Sequence, residues 1–159
     1  MKEYYIKFKH FFKEQKCNFQ ASDRFIMKIL SGLECRCFKP GEQIIKRGDK
    51  LQYLYFIFKG SALIMDEKEE KPLIVLPKYS WFGDYQIFMG SKSNVGVISS
   101  NDADTVCLCL DASKFLDHCK EHRGHYSFYL ERSLARRRYW RRVQVQFERN
   151  PPTKPEDER

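Results

Sequence analysis

The chain has 159 residues, with 29 Lys and Arg against 21 Asp and Glu, six cysteines and 42% hydrophobic residues. That length suits one globular domain with a core of its own plus flanking helices, and it excludes two large lobes within this sequence. The net charge of +8 is uneven: residues 1–50 carry 12 basic and 6 acidic groups, 51–130 carry 8 and 10, and 131–159 carry 9 and 5. The net-acidic centre argues against a basic groove for nucleic acid, and no nucleic-acid partner is expected.

Residues 1–17 place Tyr5, Phe8 and Phe12, with Tyr4 and Phe11, at helical spacing among Lys2, Lys7, Lys9, Lys13 and Lys16. This is the pattern of a basic amphipathic helix, suited to a linker. The opening residues lack the apolar core of a signal peptide, and no run approaches the roughly 18 apolar residues of a membrane span. The expected location is the cytoplasmic side, with any membrane connection made outside this segment.

A second helix is signalled by Ser22 or Asp23 as N-cap, then Phe25, Ile26, Ile29 and Leu30, ending at Gly32. The period then shortens. Apolar runs at Leu33–Phe38, Gln43–Ile45, Tyr53–Phe58, Ala62–Met65, Leu73–Leu76, Val95–Ser99 and Thr105–Leu110 alternate with turn signals such as Pro40-Gly41, Gly48-Asp49 and Lys59-Gly60. About eight strands at this spacing predict a small barrel or jelly roll. Asp111 then caps a helix over Ala112–Glu121, a break is expected at Arg123-Gly124, and a long helix follows from about His125 to Phe147. The Pro-rich, charged residues 148–159 are expected to be a disordered tail.

The two C-x-C pairs, Cys35/Cys37 and Cys107/Cys109, lie in strand-like runs, where neighbours two apart share a face and bridge poorly. With Cys17 and Cys119 they are expected to be reduced, partly buried thiols. His10, His118, His122 and His125 have no carboxylate or thiolate support at zinc spacing, so no metal site and no cofactor is expected. No nucleophile–base pair, paired carboxylates or Gly-x-x-x-x-Gly-Lys loop appears, and no catalytic function is expected.

Three motifs together narrow the fold: Phe38-Lys39-Pro40-Gly41-Glu42 running to Gly48-Asp49, then Leu54-Tyr55-Phe56-Ile57 to Gly60, and Phe82-Gly83-Asp84 further on. With them the chain resembles a cyclic-nucleotide-binding domain over residues 18–138. In style it is most similar to the cytosolic domains of hyperpolarisation-activated and ether-à-go-go-type cation channels. The resemblance implies an α+β fold, an eight-stranded antiparallel β-roll with an N-terminal helix and two C-terminal lid helices, the domain occupying residues 18–147.

The resemblance also implies a phosphate-binding cassette: a short helix offering backbone N–H groups to a cyclic phosphate, a Glu accepting from the ribose 2′-OH, and an Arg pairing with the phosphate. By position, Phe82 and Gly83 match, Asp84 stands where Glu is usual, Tyr85 and Gln86 fall in the short helix, and Ser93, Asn94 and Val95 close the stretch, with Ser93 where the Arg belongs. Lys92 is the one nearby cation in sequence, a point charge rather than a planar fork. Losing a charge-assisted hydrogen bond of about 1.5–3 kcal/mol weakens binding by roughly one to two orders of magnitude. Leu134 and Arg137 are the positions expected to face the pocket from the lid, with Tyr126 and Leu130 packing on the roll.

The expected function is a regulatory module whose lid movement modulates an attached effector, a cation channel by the resemblance, assembled as a homotetramer and binding cAMP or cGMP weakly or not at all. The alternative is a working cAMP or cGMP sensor in a channel, exchanger or free-standing cytosolic receptor. In the ether-à-go-go-type domains the pocket is filled by the chain's own C-terminal segment, a part for which Tyr139-Trp140 or Val143–Phe147 is the candidate here. The arginines of residues 132–142 form a basic stripe suited to an acidic membrane surface or a neighbouring subunit. Only a few residues follow Phe147, too few for a DNA-reading module, and one cassette rather than a tandem pair separates the chain from kinase regulatory subunits.

Overall fold

The computed structural model describes residues 23–121 and 123–149. The expected helix over residues 1–17 and the tail beyond residue 149 lie outside the described residues, as does Cys17. The elements in chain order are α1 (Asp23–Ser31), β1 (Leu33–Phe38), β2 (Gln43–Ile45), β3 (Tyr53–Lys59), β4 (Ala62–Met65), β5 (Pro72–Leu76), β6 (Trp81–Phe82), α2 (Asp84–Met89), β7 (Val97–Ser99), β8 (Thr105–Asp111), α3 (Ala112–Lys120) and α4 (Arg123–Arg149).

The eight strands form two four-stranded antiparallel sheets, ordered β1-β8-β3-β6 and β2-β7-β4-β5. This is the α+β roll that the turn spacing and the resemblance implied. Buried residues of both sheets, among them Leu54, Ile57, Ala62, Ile64, Cys107, Cys109 and Leu110, belong to one hydrophobic core cluster that also takes in residues of the helices. The alternation of β8, where Thr105, Cys107 and Cys109 are buried and Val106 and Leu108 are half-buried, is the period of two expected of a strand with one core face.

Two corners depend on glycine. Gly60 turns the chain between β3 and β4 at φ 81°, and a Cβ there would lie 2.4 Å from the Asp104 carbonyl oxygen. Gly83 joins β6 to α2 at φ 93°, with the Leu51 side chain and the Tyr53 carbonyl oxygen each 3.2 Å from where a Cβ would sit. Both are left-handed conformations that only glycine adopts without strain.

The helices gather at one end. Asp111 caps α3, its side chain accepting from the Lys114 N–H at 3.0 Å, as its place before the apolar run predicted. An aromatic cluster joins all four: Phe25 of α1 stacks on Tyr129 of α4 at 6.1 Å, Phe115 of α3 lies 5.8 Å from the same ring, and Phe88 of α2 meets Phe115 and Tyr126 edge-on at 5.7 and 5.5 Å. Phe25, Phe115 and Tyr129 are each 1% exposed. Tyr129, rather than Tyr126 or Leu130, is therefore the deepest anchor of the lid helix.

One expectation requires correction. The break between the last helices falls after Lys120, and Gly124 lies inside α4. The two-residue β6 gave no periodic signal in the sequence. Among the described residues the thiols divide by burial: Cys35 and Cys37 are exposed, whereas Cys107, Cys109 and Cys119 are buried. Register and position account for the strand thiols: Cys35 and Cys37 of the edge strand β1 pair with Leu108 and Val106, on the face opposite Cys107 and Cys109 of the interior strand β8, while Cys119 is buried from α3. Burial pushes the Cys107, Cys109 and Cys119 thiols from an ordinary 9.0 up to about 12, which keeps them protonated and unreactive at neutral pH.

Candidate functional site

The Phe82-Gly83 corner, α2 and the stretch to Val97 fold into one concave wall, and α4 lies across it. Phe82 is fixed from behind by Tyr55, whose ring stacks on it at 5.0 Å. Gly83 occupies the N-cap of α2 without a side-chain cap bond, so the start of the short helix sits at the wall without an intervening side chain. Ser93 is 3% exposed. Its hydroxyl donates to the Val95 carbonyl at 2.7 Å, and its backbone ties the Gly48-Asp49 turn to the wall through N–H and C=O bonds of 2.8 and 2.7 Å. Ser93 therefore acts as a local turn former here.

The cavity between wall and helix encloses about 40 Å³ and is lined by Phe82, Gly83, Asp84, Tyr85, Gln86, Ser93 and Val95, with Ile45 and Val97 from the strands and Ser133, Arg136 and Arg137 from α4. One water requires about 10–15 Å³ on this measure, and a small-molecule site usually offers about 300 Å³ or more. As folded, the site holds a few waters' worth of space and no nucleotide fits without movement of α4.

Of the residues singled out in the sequence, Phe82, Gly83, Asp84, Tyr85, Gln86, Ser93, Val95 and Arg137 are thus brought together. Lys92, Asn94 and Leu134 are not on the wall. Lys92 and Asn94 are exposed, and Lys92 sits in an isolated backbone bridge to Lys50. Leu134 is half-buried and turned away from the cavity because successive helical residues rotate by about 100°. The cavity face of α4 is carried by positions 133, 136 and 137.

Asp84 is the polar centre of the site. It is 4% exposed and is held from α4 by two donors: the Ser133 hydroxyl, in a short bond, and the Arg136 guanidinium at 3.2 Å. Arg136 also donates to the Trp81 carbonyl at 2.5 Å, and its guanidinium lies 3.9 Å over the Trp81 ring. Arg132 approaches the same ring at 5.5 Å, and Arg137 lies 5.2 Å from the Tyr85 ring. Burial draws the Arg136 pKa below its ordinary value, the Asp84 charge opposes this, and Arg132 adds to the lowering. A buried carboxylate needs such partners, since an unpaired one costs several kcal/mol.

Ser133 did not emerge from the sequence, and Arg136 emerged only as part of the basic stripe, whereas the structure turns it to Asp84 and the cavity. A signal was present: the spacing of Tyr129, Ser133 and Arg136 is i, i+4, i+7, one face of a helix, and Tyr129 marks that face as the inward one. Tyr139, a candidate for filling the pocket, is 62% exposed and is not on the wall. The side chains of Trp140 and Val143–Phe147 lie outside the described residues. No helix among the described residues is long and apolar enough to cross a membrane.

Comparison with known proteins agrees with the geometry. The chain is 32% identical over 72 residues to a cGMP-dependent protein kinase of Plasmodium berghei (strain Anka), a match covering 45% of this chain and 8% of the kinase. The crystal structure of the Thermus thermophilus catabolite activator protein superposes with a TM-score of 0.63 at 19% identity, over 79% of this chain and 59% of that one. The chain thus spans less than two thirds of either relative, and the structural match speaks for the fold. The profile of the family described as the cyclic nucleotide-binding domain matches residues 35–122, more than half of the sequence, and the chain belongs to that family.

Proposed function

We propose that this domain is a regulatory module whose lid helix, α4, is latched over the nucleotide site in the resting state, so that cAMP or cGMP binds weakly and only by displacing it. The observation that carries this is the pairing of Asp84, the group placed to accept a ribose hydroxyl, with Ser133 and Arg136 of α4. Two further features agree with it: the 40 Å³ cavity and Ser93 in place of the expected phosphate-pairing arginine, its hydroxyl already committed to Val95. A ligand must separate α4 from Asp84 before it is seated. Occupancy of the site and position of the helix are therefore one equilibrium, and ligand shifts it only by its preference for the open state.

The effector moved by α4 is proposed to be a cation channel pore on the same chain or assembly, with the domain on the cytoplasmic side and arranged as a homotetramer. Support comes from the resemblance of the sequence's turn motifs to those of channel domains and from the 27-residue length of α4. Titration of the purified chain with cAMP and cGMP, followed by calorimetry and by amide chemical shifts of α4, tests the module. Weak saturation accompanied by shifts at Ser133 and Arg136 is expected. Micromolar saturation with α4 unmoved refutes the latch, and flat titrations to about 10 mM refute nucleotide sensing.

A further inference from the structure

The cavity has an unusual distribution of charge. Its charged lining groups are Asp84, Arg136 and Arg137, a balance of one positive charge, and both cations come from the lid. The cassette stretch itself supplies none: Lys92 points to solvent, and position 93 is a serine whose hydroxyl is spent on Val95. Arg136 is held in place for reasons of packing as well as charge. Its side chain is 26% exposed, lies 3.9 Å over the Trp81 ring, and bonds the carbonyl of residue 81 and the carboxylate of residue 84, on either side of the Gly83 corner. A guanidinium so placed is a preorganised, planar, doubly donating group at the mouth of a nearly closed site, the geometry that recognises phosphate.

We propose that Arg136, assisted by Arg137, is the anion-recognising group of this site: the phosphate of an incoming cyclic nucleotide takes Arg136 from Asp84, and the freed carboxylate accepts the ribose hydroxyl. This deepens the proposed function and rests on it. The countercharge has moved from the wall to the lid, so the same side chain that holds the site shut in the resting state holds the ligand in the bound one. Exchange of one anion for another conserves the pairing of a desolvated guanidinium, which would otherwise be left with an uncompensated charge. A neutral nucleoside offers Arg136 no replacement for Asp84 and has no means of releasing the latch.

The test uses the full chain with Trp140→Phe, which leaves Trp81 as its single tryptophan. Trp81 lies under Arg136 and reports its departure. Cyclic AMP, cyclic GMP and adenosine are titrated against this protein and against Arg136→Gln, Arg136→Lys, Arg137→Gln and Ser133→Ala in the same background. The exchange predicts that Arg136→Gln, which loses a latch bond and the phosphate contact together, binds cyclic nucleotides about tenfold or more weakly than Ser133→Ala, which loses a latch bond alone; Arg137→Gln weakens binding by a few-fold relative to the parent and Arg136→Lys falls between Arg136→Gln and Ser133→Ala, since a charge-assisted bond is lost or degraded. Ser133→Ala, which loosens the latch and leaves both cations, strengthens binding. Adenosine leaves Trp81 emission unchanged throughout.

Cyclic-nucleotide binding by Arg136→Gln as tight as that of Ser133→Ala, or tighter, overturns the exchange while leaving the latched-module reading intact, because the arginine is then only an obstacle. Absence of cyclic-nucleotide binding by every variant overturns both. Should Arg136→Gln fail to fold by thermal melting, Arg137→Gln decides the matter, since it leaves the Asp84 latch in place: unchanged affinity there overturns the proposal.

Discussion

Ser133→Ala is the substitution that separates the two tasks of the lid. The Ser133 hydroxyl is buried and donates to the Asp84 carboxylate, whose other lid partner is Arg136 at 3.2 Å. Alanine fits the helix at least as well as serine, so the change removes one hydrogen bond and little else. A hydrogen bond to a charged group contributes about 1.5–3 kcal/mol, and that amount is withdrawn from the closed state. If the open state alone accepts ligand, the apparent affinity is scaled by its population, and affinity for cAMP or cGMP rises by roughly 10- to 150-fold. The folded protein loses stability by at most the same amount, a fall in Tm of about 5–10 °C for a domain of this size. Calorimetric titration and thermal melting of the same preparation give both numbers. A lower Tm with unchanged affinity refutes the reasoning, because the bond then contributes to folding and not to closure of the site.

Thiol labelling at pH 8 is expected to modify Cys35 and Cys37 rapidly and to spare Cys107, Cys109 and Cys119 until the protein unfolds; mass spectrometry of the alkylated peptides checks this. Raising the pH gives a second outcome. The three buried thiols hold their protons to about 12 in the folded state against an ordinary value of 9.0, and burial likewise takes Tyr55 from 10.0 to about 12. The unfolded chain releases these protons first, so stability is full below about pH 9 and declines as pH rises from there through 12, measurable as a falling midpoint in urea. Gly60→Ala forces a Cβ to within 2.4 Å of the Asp104 carbonyl oxygen at φ 81°. A loss of about 1–3 kcal/mol is expected, read as a reduced Tm, and an unchanged Tm shows that the β3–β4 corner relaxes.

Much of the roll was legible because its strands carry their own period and its corners their own residues. β1, β2 and β4 have the predicted bounds, and β3, β5, β7 and β8 differ at their ends, where hydrogen bonding to a neighbour rather than side-chain pattern decides the last residue. β6 exists only through its pairing with Tyr55 and Phe56, which no local pattern encodes. The wall of the site was legible through Phe82-Gly83-Asp84. Its lid was legible only at Arg137: the apolar spacing of the helix points to Leu134, on the rule that inward faces are apolar, whereas the structure turns Ser133 and Arg136 to the site. That rule inverts opposite a buried carboxylate, which draws hydroxyl and guanidinium groups inward. Lys92 failed for the complementary reason, since sequence neighbours of a site residue in an extended stretch point to the opposite side.

The position of the latch along α4 has a mechanical consequence. The helix is anchored at Tyr129 in the aromatic cluster, clamped a turn or two later at Ser133 and Arg136, and continues to Arg149. At about 1.5 Å per residue the clamp lies roughly 6–10 Å from the anchor and the far end about 30 Å from it. A helix pivoting on Tyr129 is a lever whose output arm is three to five times its input arm. Displacement of Arg136 by 1–2 Å, enough to break its bond to Asp84, moves the end of a rigid α4 by several ångströms.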